Sequence, residues 1–222
     1  MTNRILPLLA AGLMGLSAQA QDANWSGFHT GLTLGHSQYT TAWRDEGYDW
    51  YGGTLKGTKK AFLPAIHVGY DWQFGATVVG VELDHSFASA NMVTHYNTTV
   101  VNPVPDVVRT DKAKGLTTLR GRFGVAKGNT LFFLTAGFGK VKADHTWIEN
   151  GDVPDSWPTF SNTKAGFVSG LGLEHRLNTR FSVRVELQNF RSQETVSVNP
   201  NQYGMHVSDS FNTVRVGGSF HF

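Results

Sequence analysis

Apolar and polar residues alternate with a period of two along most of this chain. Strand side chains point to opposite faces in turn, so each alternating run predicts a strand with one oily and one polar side. Over residues 25–36, Phe28, Leu32 and Leu34 oppose His29, Gly31, Thr33 and Gly35. Three longer segments repeat a strand–turn–strand unit. In residues 66–87, Ile66, Val68, Tyr70 and Trp72 precede a turn at Gln73-Phe74-Gly75-Ala76, and Val79, Val81 and Leu83 resume the apolar face. In residues 118–141, Leu119, Phe123 and Val125 lead to Lys127-Gly128-Asn129, then to Phe132, Leu134, Ala136 and Phe138. In residues 167–190, Leu171 and Leu173 lead to Leu177-Asn178-Thr179, then to Val183, Val185 and Leu187. The last run, residues 212–222, sets Val214, Val216, Phe220 and Phe222 against Thr213, Arg215, Gly217, Ser219 and His221.

The pattern predicts eight strands, with long polar segments at 38–60, 89–114, 144–163 and 191–210 read as loops. Short turns on one side and long loops on the other are the asymmetry of barrels that span outer membranes. A soluble barrel of the lipocalin kind also has eight strands, but there the oily face points inward. The identity of the polar face separates the two. It carries Glu82, Asp84, Arg120, Arg122, Glu174, Arg184, Glu186 and Arg215 at mid-strand, interleaved with glycine. Small residues suit a cramped interior, and the acids and arginines balance as an ion-pair network. Trp25, Phe28, Tyr70, Trp72, Phe181, Phe220 and Phe222 at strand ends suit an interfacial girdle. The predicted fold is all-β: an eight-stranded antiparallel up-and-down transmembrane β-barrel, with four long extracellular loops and short periplasmic turns.

The N-terminus adds a location. Arg4, the apolar run 5–16 and Ala18-Gln19-Ala20 read as a secretory signal peptide cut after Ala20. The expected organisation is a signal peptide at 1–20 and a barrel domain at 21–222. No later run has the ~18 consecutive apolar residues of a membrane helix, so a bilayer crossing has to be made of strands. The 222 residues include no cysteine, which leaves barrel closure as a source of stability for an exported chain. A formal net charge of +2 gives no nucleic-acid footprint.

Several motifs then resemble one family. WSGFHTGLTLGH at 25–36 is similar to the opening W-x-G-x-Y-x-G strand of the small, porin-like outer-membrane β-barrels. These include the alphaproteobacterial immunogenic outer-membrane proteins and their haemin-binding relatives. TLRGRFGVAKGNTLFFLTAGFGKV at 118–141 and GLGLEHRLNTRFSVRVEL at 170–187 resemble the family's hairpins. NTVRVGGSFHF at 212–222 resembles its closing strand, with Phe220 and Phe222 as the assembly signal. The resemblance spans the chain after the signal peptide. It implies a Gram-negative outer-membrane location, with membrane lipid, lipopolysaccharide and the barrel assembly machinery as partners. It does not specify an activity, since one fold hosts several.

Candidate chemistry is sparse. The eight inward charges are expected to fill the lumen, because eight-stranded barrels are just wide enough to be filled by side chains. A narrow pore for small solutes is the alternative. The nine histidines form no H-x-H or H-x-x-x-H cluster, so no metal site is expected. His95, His145 and His206 fall in three predicted loops and are the candidates for haemin binding. His85-Ser86 and His206-Val207-Ser208 are the His/Ser pairs a lipid hydrolase would need, but neither sits in a nucleophile elbow, so no enzyme is expected. The aromatic loop residues Trp43, Tyr48, Trp50, Tyr51, Trp147 and Trp157 are the candidates for contact with a host or surface ligand. The expected role is a structural surface protein that interacts through its loops.

Overall fold

A computed structural model describes residues 23–45, 54–88, 90–97, 106–148, 160–192, 195–198 and 204–222. Their regular structure is all strand. In chain order the strands are β1 (Gly27–Asp45), β2 (Leu55–Phe74), β3 (Thr77–Ser86), β4 (Ala90–Asn97), β5 (Asp106–Lys127), β6 (Thr130–Ile148), β7 (Phe160–Arg176), β8 (Phe181–Ser192), β9 (Thr195–Val198) and β10 (Gly204–His221). Each pairs antiparallel with its neighbour, and β10 returns to pair with β1 from His29↔His221 to Asp45↔Met205. β4 extends the line of β3 along β5, and β9 extends that of β8 along β10. The ten strands therefore form a closed ring of eight staves.

At one end the staves join through short turns. Gly75 and Gly128 have φ of +60° and +58°, the left-handed geometry that a two-residue hairpin turn demands. At the other end lie the long connections. The strands run well past the predicted loop boundaries: β1 continues to Asp45, β6 to Ile148, and β10 begins at Gly204. A 20-residue strand such as β2, at ~3.3 Å per residue and ~40° tilt, is about 50 Å tall, twice the ~25 Å apolar band of an outer-membrane barrel.

The extra height has its own core, and the sidedness reverses along the axis. In the turn-end half the outside is apolar: Leu32, Val68, Val81, Phe123, Leu134, Val185 and Val216 are all exposed. Above it the outside turns basic, with exposed Lys60, Lys140 and Lys142. There the inside becomes apolar, where Tyr39, Leu63, Leu116, Val141, Val168, Phe190 and Phe211 form a buried cluster. Along β2 the two patterns overlap at Phe62, which faces out, and Leu63, which faces in. The lower half is built like a membrane barrel and the upper half like a soluble one. Beyond the lower band the outward side chains face water, so burial of apolar surface drives the inner face instead.

A bulge lets β5 serve both halves. Its register against β6 shifts between Ala113 and Gly115. Inward residues carry odd numbers above the shift (Arg109, Asp111, Ala113) and even numbers below it (Leu116, Thr118, Arg120, Arg122). One extra residue reverses the phase of everything that follows.

Candidate functional site

The site is the lumen. All eight predicted interior charges point into it and are about 1% exposed or less. Arg120 donates to Glu82 and Glu186. Arg184 completes the square, donating to Glu82 Oε2 at 2.6 Å and Glu186 Oε2 at 3.1 Å. Arg215 donates to Asp84 Oδ2 at 2.8 Å and to the Ser86 hydroxyl at 2.6 Å. Arg122 donates to Glu174 and to Asp71 Oδ2 at 3.1 Å. Phe133 packs under this layer, with the Arg122 and Arg184 guanidinium carbons 4.3 and 5.2 Å from its ring centre.

Asp71 is a fifth carboxylate beyond the four expected, and it brings company. His29, His67 and His221 face the same space, with ring centres 5.9 Å apart for His29–His67 and 5.7 Å for His29–His221. His221 Nε2 lies 2.9 Å from the Ser182 hydroxyl and 3.3 Å from Glu174. Sequence reasoning placed these histidines on the polar face but not together, because they lie on three strands. Below them Trp25 closes the turn end with Val78, Leu131 and Phe133. Arg176 lies over the Trp25 ring at 4.9 Å. Trp25 is therefore a plug inside the barrel and not a girdle residue; Phe28, Trp72, Phe181 and Phe222 do face outward and are exposed.

A second polar cluster crowns the upper core, and sequence reasoning missed it because all its members but Lys164 fell in predicted loops. Asp209 accepts from Tyr39 Oη and Thr41 Oγ1, both at 2.8 Å, and from Lys164 Nζ at 2.9 Å. Asp111 accepts from Arg109 Nε at 2.6 Å and pairs with His145 Nδ1 at 2.7 Å. This layer lies beyond the apolar band, level with or above the outward Lys142. Burial opposes charge on His145, but its hydrogen bond to Asp111 and the nearby Asp209 outweigh this and raise its pKa above the ordinary value. Burial likewise opposes an ionised Asp209, yet His145 and Lys164 hold it well below the usual carboxylate range. Burial, then the Asp209 charge, pushes the Tyr39 phenol up. Outside, a hydrogen bond from Lys114 lowers Asp144.

The loop candidates divide. Trp43 is not an exposed loop residue: it points inward from β1, 2% exposed, with the Arg109 guanidinium 5.1 Å from its ring and His145 edge-on at 5.7 Å. Tyr39 is likewise internal, stacked on Phe211 at 4.8 Å. Trp147 belongs to β6, and its side chain lies outside the described residues, as do Tyr48, Trp50, Tyr51 and Trp157 in full. The three haemin candidates do not share a loop surface. His145 is buried inward while His206 sits on the opposite phase of β10, and the His95 side chain lies outside the described set. His85, on the outward phase, pairs with Thr117 Oγ1 at 2.8 Å, whereas Ser86 points inward, so that pair cannot act as a unit.

A closed antiparallel ring with an apolar outer band and a charged interior has known counterparts. A family model described as outer membrane protein beta-barrel domain matches residues 8–222. The chain belongs to that family. The 31 kDa outer-membrane immunogenic protein of Brucella melitensis is 24% identical over 215 residues, covering 93% of this chain and 87% of the relative. Its Brucella suis counterpart matches equally. Among solved structures, the outer membrane protein OprG of Pseudomonas aeruginosa aligns with a TM-score of 0.53 and 12% identity, over 91% of this chain and 99% of that one. The outer membrane protease OmpT of Escherichia coli aligns with a TM-score of 0.51 and 10% identity, over 92% and 99%. At these identities the two solved structures speak to fold alone. Membership sets this barrel in the bacterial outer membrane, among lipid and lipopolysaccharide. Its apolar band, from Phe28 to Phe62 on β1 and β2 and from Phe132 to Phe138 on β6, is the surface that faces lipid.

Proposed function

We propose that this outer-membrane barrel is a closed, non-conducting scaffold that holds its outward loops at the cell surface, where they make its interactions. The observation that supports it is the filled lumen. Going up from the turns, the base plug around Trp25, the ion-pair layer, the aromatic and aliphatic layer and the Tyr39–Asp209–His145 layer follow one another. Each layer draws on more than one stave, which favours a bore closed to solutes. A role as scaffold, not as enzyme, fits this packing. Tyr48, Trp50, Tyr51 and Trp157 are the loop residues for contact with a host or environmental ligand. The outward Lys60, Lys140 and Lys142 stand just above the apolar band, where the phosphates of lipopolysaccharide provide opposite charge. Export through a cleaved segment at 1–20, and delivery of the Phe220/Phe222 strand to the barrel assembly machinery, belong to the same reading.

Planar-bilayer recording on refolded protein tests it, with heat-modifiable gel mobility as the check that the barrel has formed. Folded protein is expected to give no discrete openings. Reproducible unit conductance would overturn the filled-scaffold reading in favour of a narrow pore.

A further inference from the structure

Beside the ion-pair layer the lower lumen holds two imidazoles, those of His29 and His67. β1 and β2 pair so that His29 stands opposite Gly69 and His67 opposite Gly31. Each imidazole thus lies over the other strand's glycine. A Cβ at Gly69 would stand 2.5 Å from His29 Nε2, and one at Gly31 would stand 2.6 Å from His67 Cε1. The H-x-G of residues 29–31 and the H-x-G of residues 67–69 interlock, each imidazole taking the room that the facing glycine leaves.

We propose that this pocket is a binding site for one divalent transition-metal ion of the zinc class, held by His29, His67 and Glu82 with Asp71 alongside. Ligand atoms of His29, His67 and Glu82 all lie within 4.8 Å of one another. Asp71 Oδ2 is 3.6 Å from His29 Nε2. Ligands about 2.0–2.1 Å from a tetrahedral ion are roughly 3.3 Å apart, so small rotamer shifts close the set. Neutral imidazole with carboxylate is the donor chemistry that zinc-class ions take.

Two further observations point to a ligand. Both ring nitrogens of His29, Nδ1 of His67 and Oδ1 of Asp71 are buried without a hydrogen-bond partner. Such orphans are rare in native proteins, and several at one spot mark something that belongs there. His67 Nε2 is already engaged by the Ser219 hydroxyl at 3.1 Å, the arrangement that orients a ligating imidazole and leaves its other nitrogen for the ion.

The second observation is charge. Glu82, Asp84, Glu174 and Glu186 each hold a close arginine among Arg120, Arg122, Arg184 and Arg215, whereas Asp71 has none to itself. Arg176 donates instead to the backbone oxygens of Thr179 at 2.6 Å and Asn24 at 2.9 Å. Asp71 has to share Arg122 with Glu174. A bound cation stands beside the carboxylate that has no arginine to itself. Glu82 keeps its two arginines in this arrangement, since an ionised carboxylate offers about four lone-pair sites. The site rests on the lumen's geometry and is independent of the loop role.

The test uses the untagged mature chain, stripped with chelator and refolded with Zn2+. One ion per chain is expected to survive desalting, and affinity is read by competition with a chromophoric chelator. Co2+ in its place is expected to give the visible absorption of a four-coordinate site. His29→Gln and His67→Gln should lose stoichiometric binding, Ser219→Ala should weaken it about 10-fold, and the outward-facing His85→Ala should leave it unchanged. Wild-type protein that retains no ion would overturn the proposal and assign the pocket to water. So would retention by the His29→Gln/His67→Gln double variant. If a variant fails to fold, the wild type decides alone: without a Zn2+-dependent rise in unfolding temperature and a four-coordinate Co2+ spectrum, the site is refuted.

Discussion

Arg120 shows how much one residue carries. Its guanidinium bridges Glu82 and Glu186 at full burial, and Arg184 is the other cation of that square. Arg120→Ala, or Glu186→Ala from the other side, leaves a buried charge short of its partner. A loss of about 3–5 kcal/mol is expected where that partner stays charged, read as a lower urea midpoint for the folded band on gels. His145 makes a different prediction. Its pKa is raised above the ordinary 6.5, so its contribution is complete below that value and is lost as pH climbs through the folded pKa. As pH rises from about 6.5 through the folded pKa, the wild type is therefore expected to lose more stability than His145→Gln. Parallel denaturation midpoints for the two proteins would contradict the assignment. At this scale the sequence exposed the mid-strand charges well, because each interrupts an oily alternation. It put Asp71, His29, His67 and His221 on the polar face but hid that they meet, because they lie on different strands, and it hid the inward facing of Trp43, whose polar neighbourhood reads as a loop.

Among the elements, β10 separates what is legible from what is not. Its lower part, from Asn212 to the end, alternates Val214 and Val216 outward with Thr213 and Arg215 inward, and that is readable directly. Its upper part turns Phe211, Asp209 and Val207 inward while Ser208 and Ser210 stay on the other face. The apolar phase has changed sides, so the run no longer resembles a membrane strand. Val216 pairs with Leu34 and Val185 in the middle of the band. Val216→Arg is expected to cost about 2–4 kcal/mol near the midplane and to cut refolding yield. Ser210→Arg, on the same face but above the band, should refold like the wild type. Equal yields for all three would mean that the band or the facing is misplaced. In β5 the bulge at Lys114 has the same masking effect, since a phase change within one strand looks like a strand end.

At the scale of the whole molecule, the barrel is two structures sharing one wall. The lower tier buries charge and shows oil to lipid, while the upper tier buries an apolar layer under a polar cluster and shows charge outside. On the filled-lumen proposal the plugs act in series. Loss of one, as in Arg120→Ala, is expected to lower stability without opening unit conductance in the bilayer assay, because the apolar layer of Leu63, Val141, Phe190 and Phe211 still closes the bore.

By itself the sequence determined the eight-stave barrel, its lipid-facing residues and its principal interior charges. A strand in lipid must present an unbroken oily phase on one face, and that constraint is written locally, two residues at a time. Only the tertiary structure decided where the strands end, which residues share a layer of the lumen, and that His29 and His67 stand side by side. Those facts depend on register between strands far apart in sequence. Closing the ring through β1 and β10 is what sets that register.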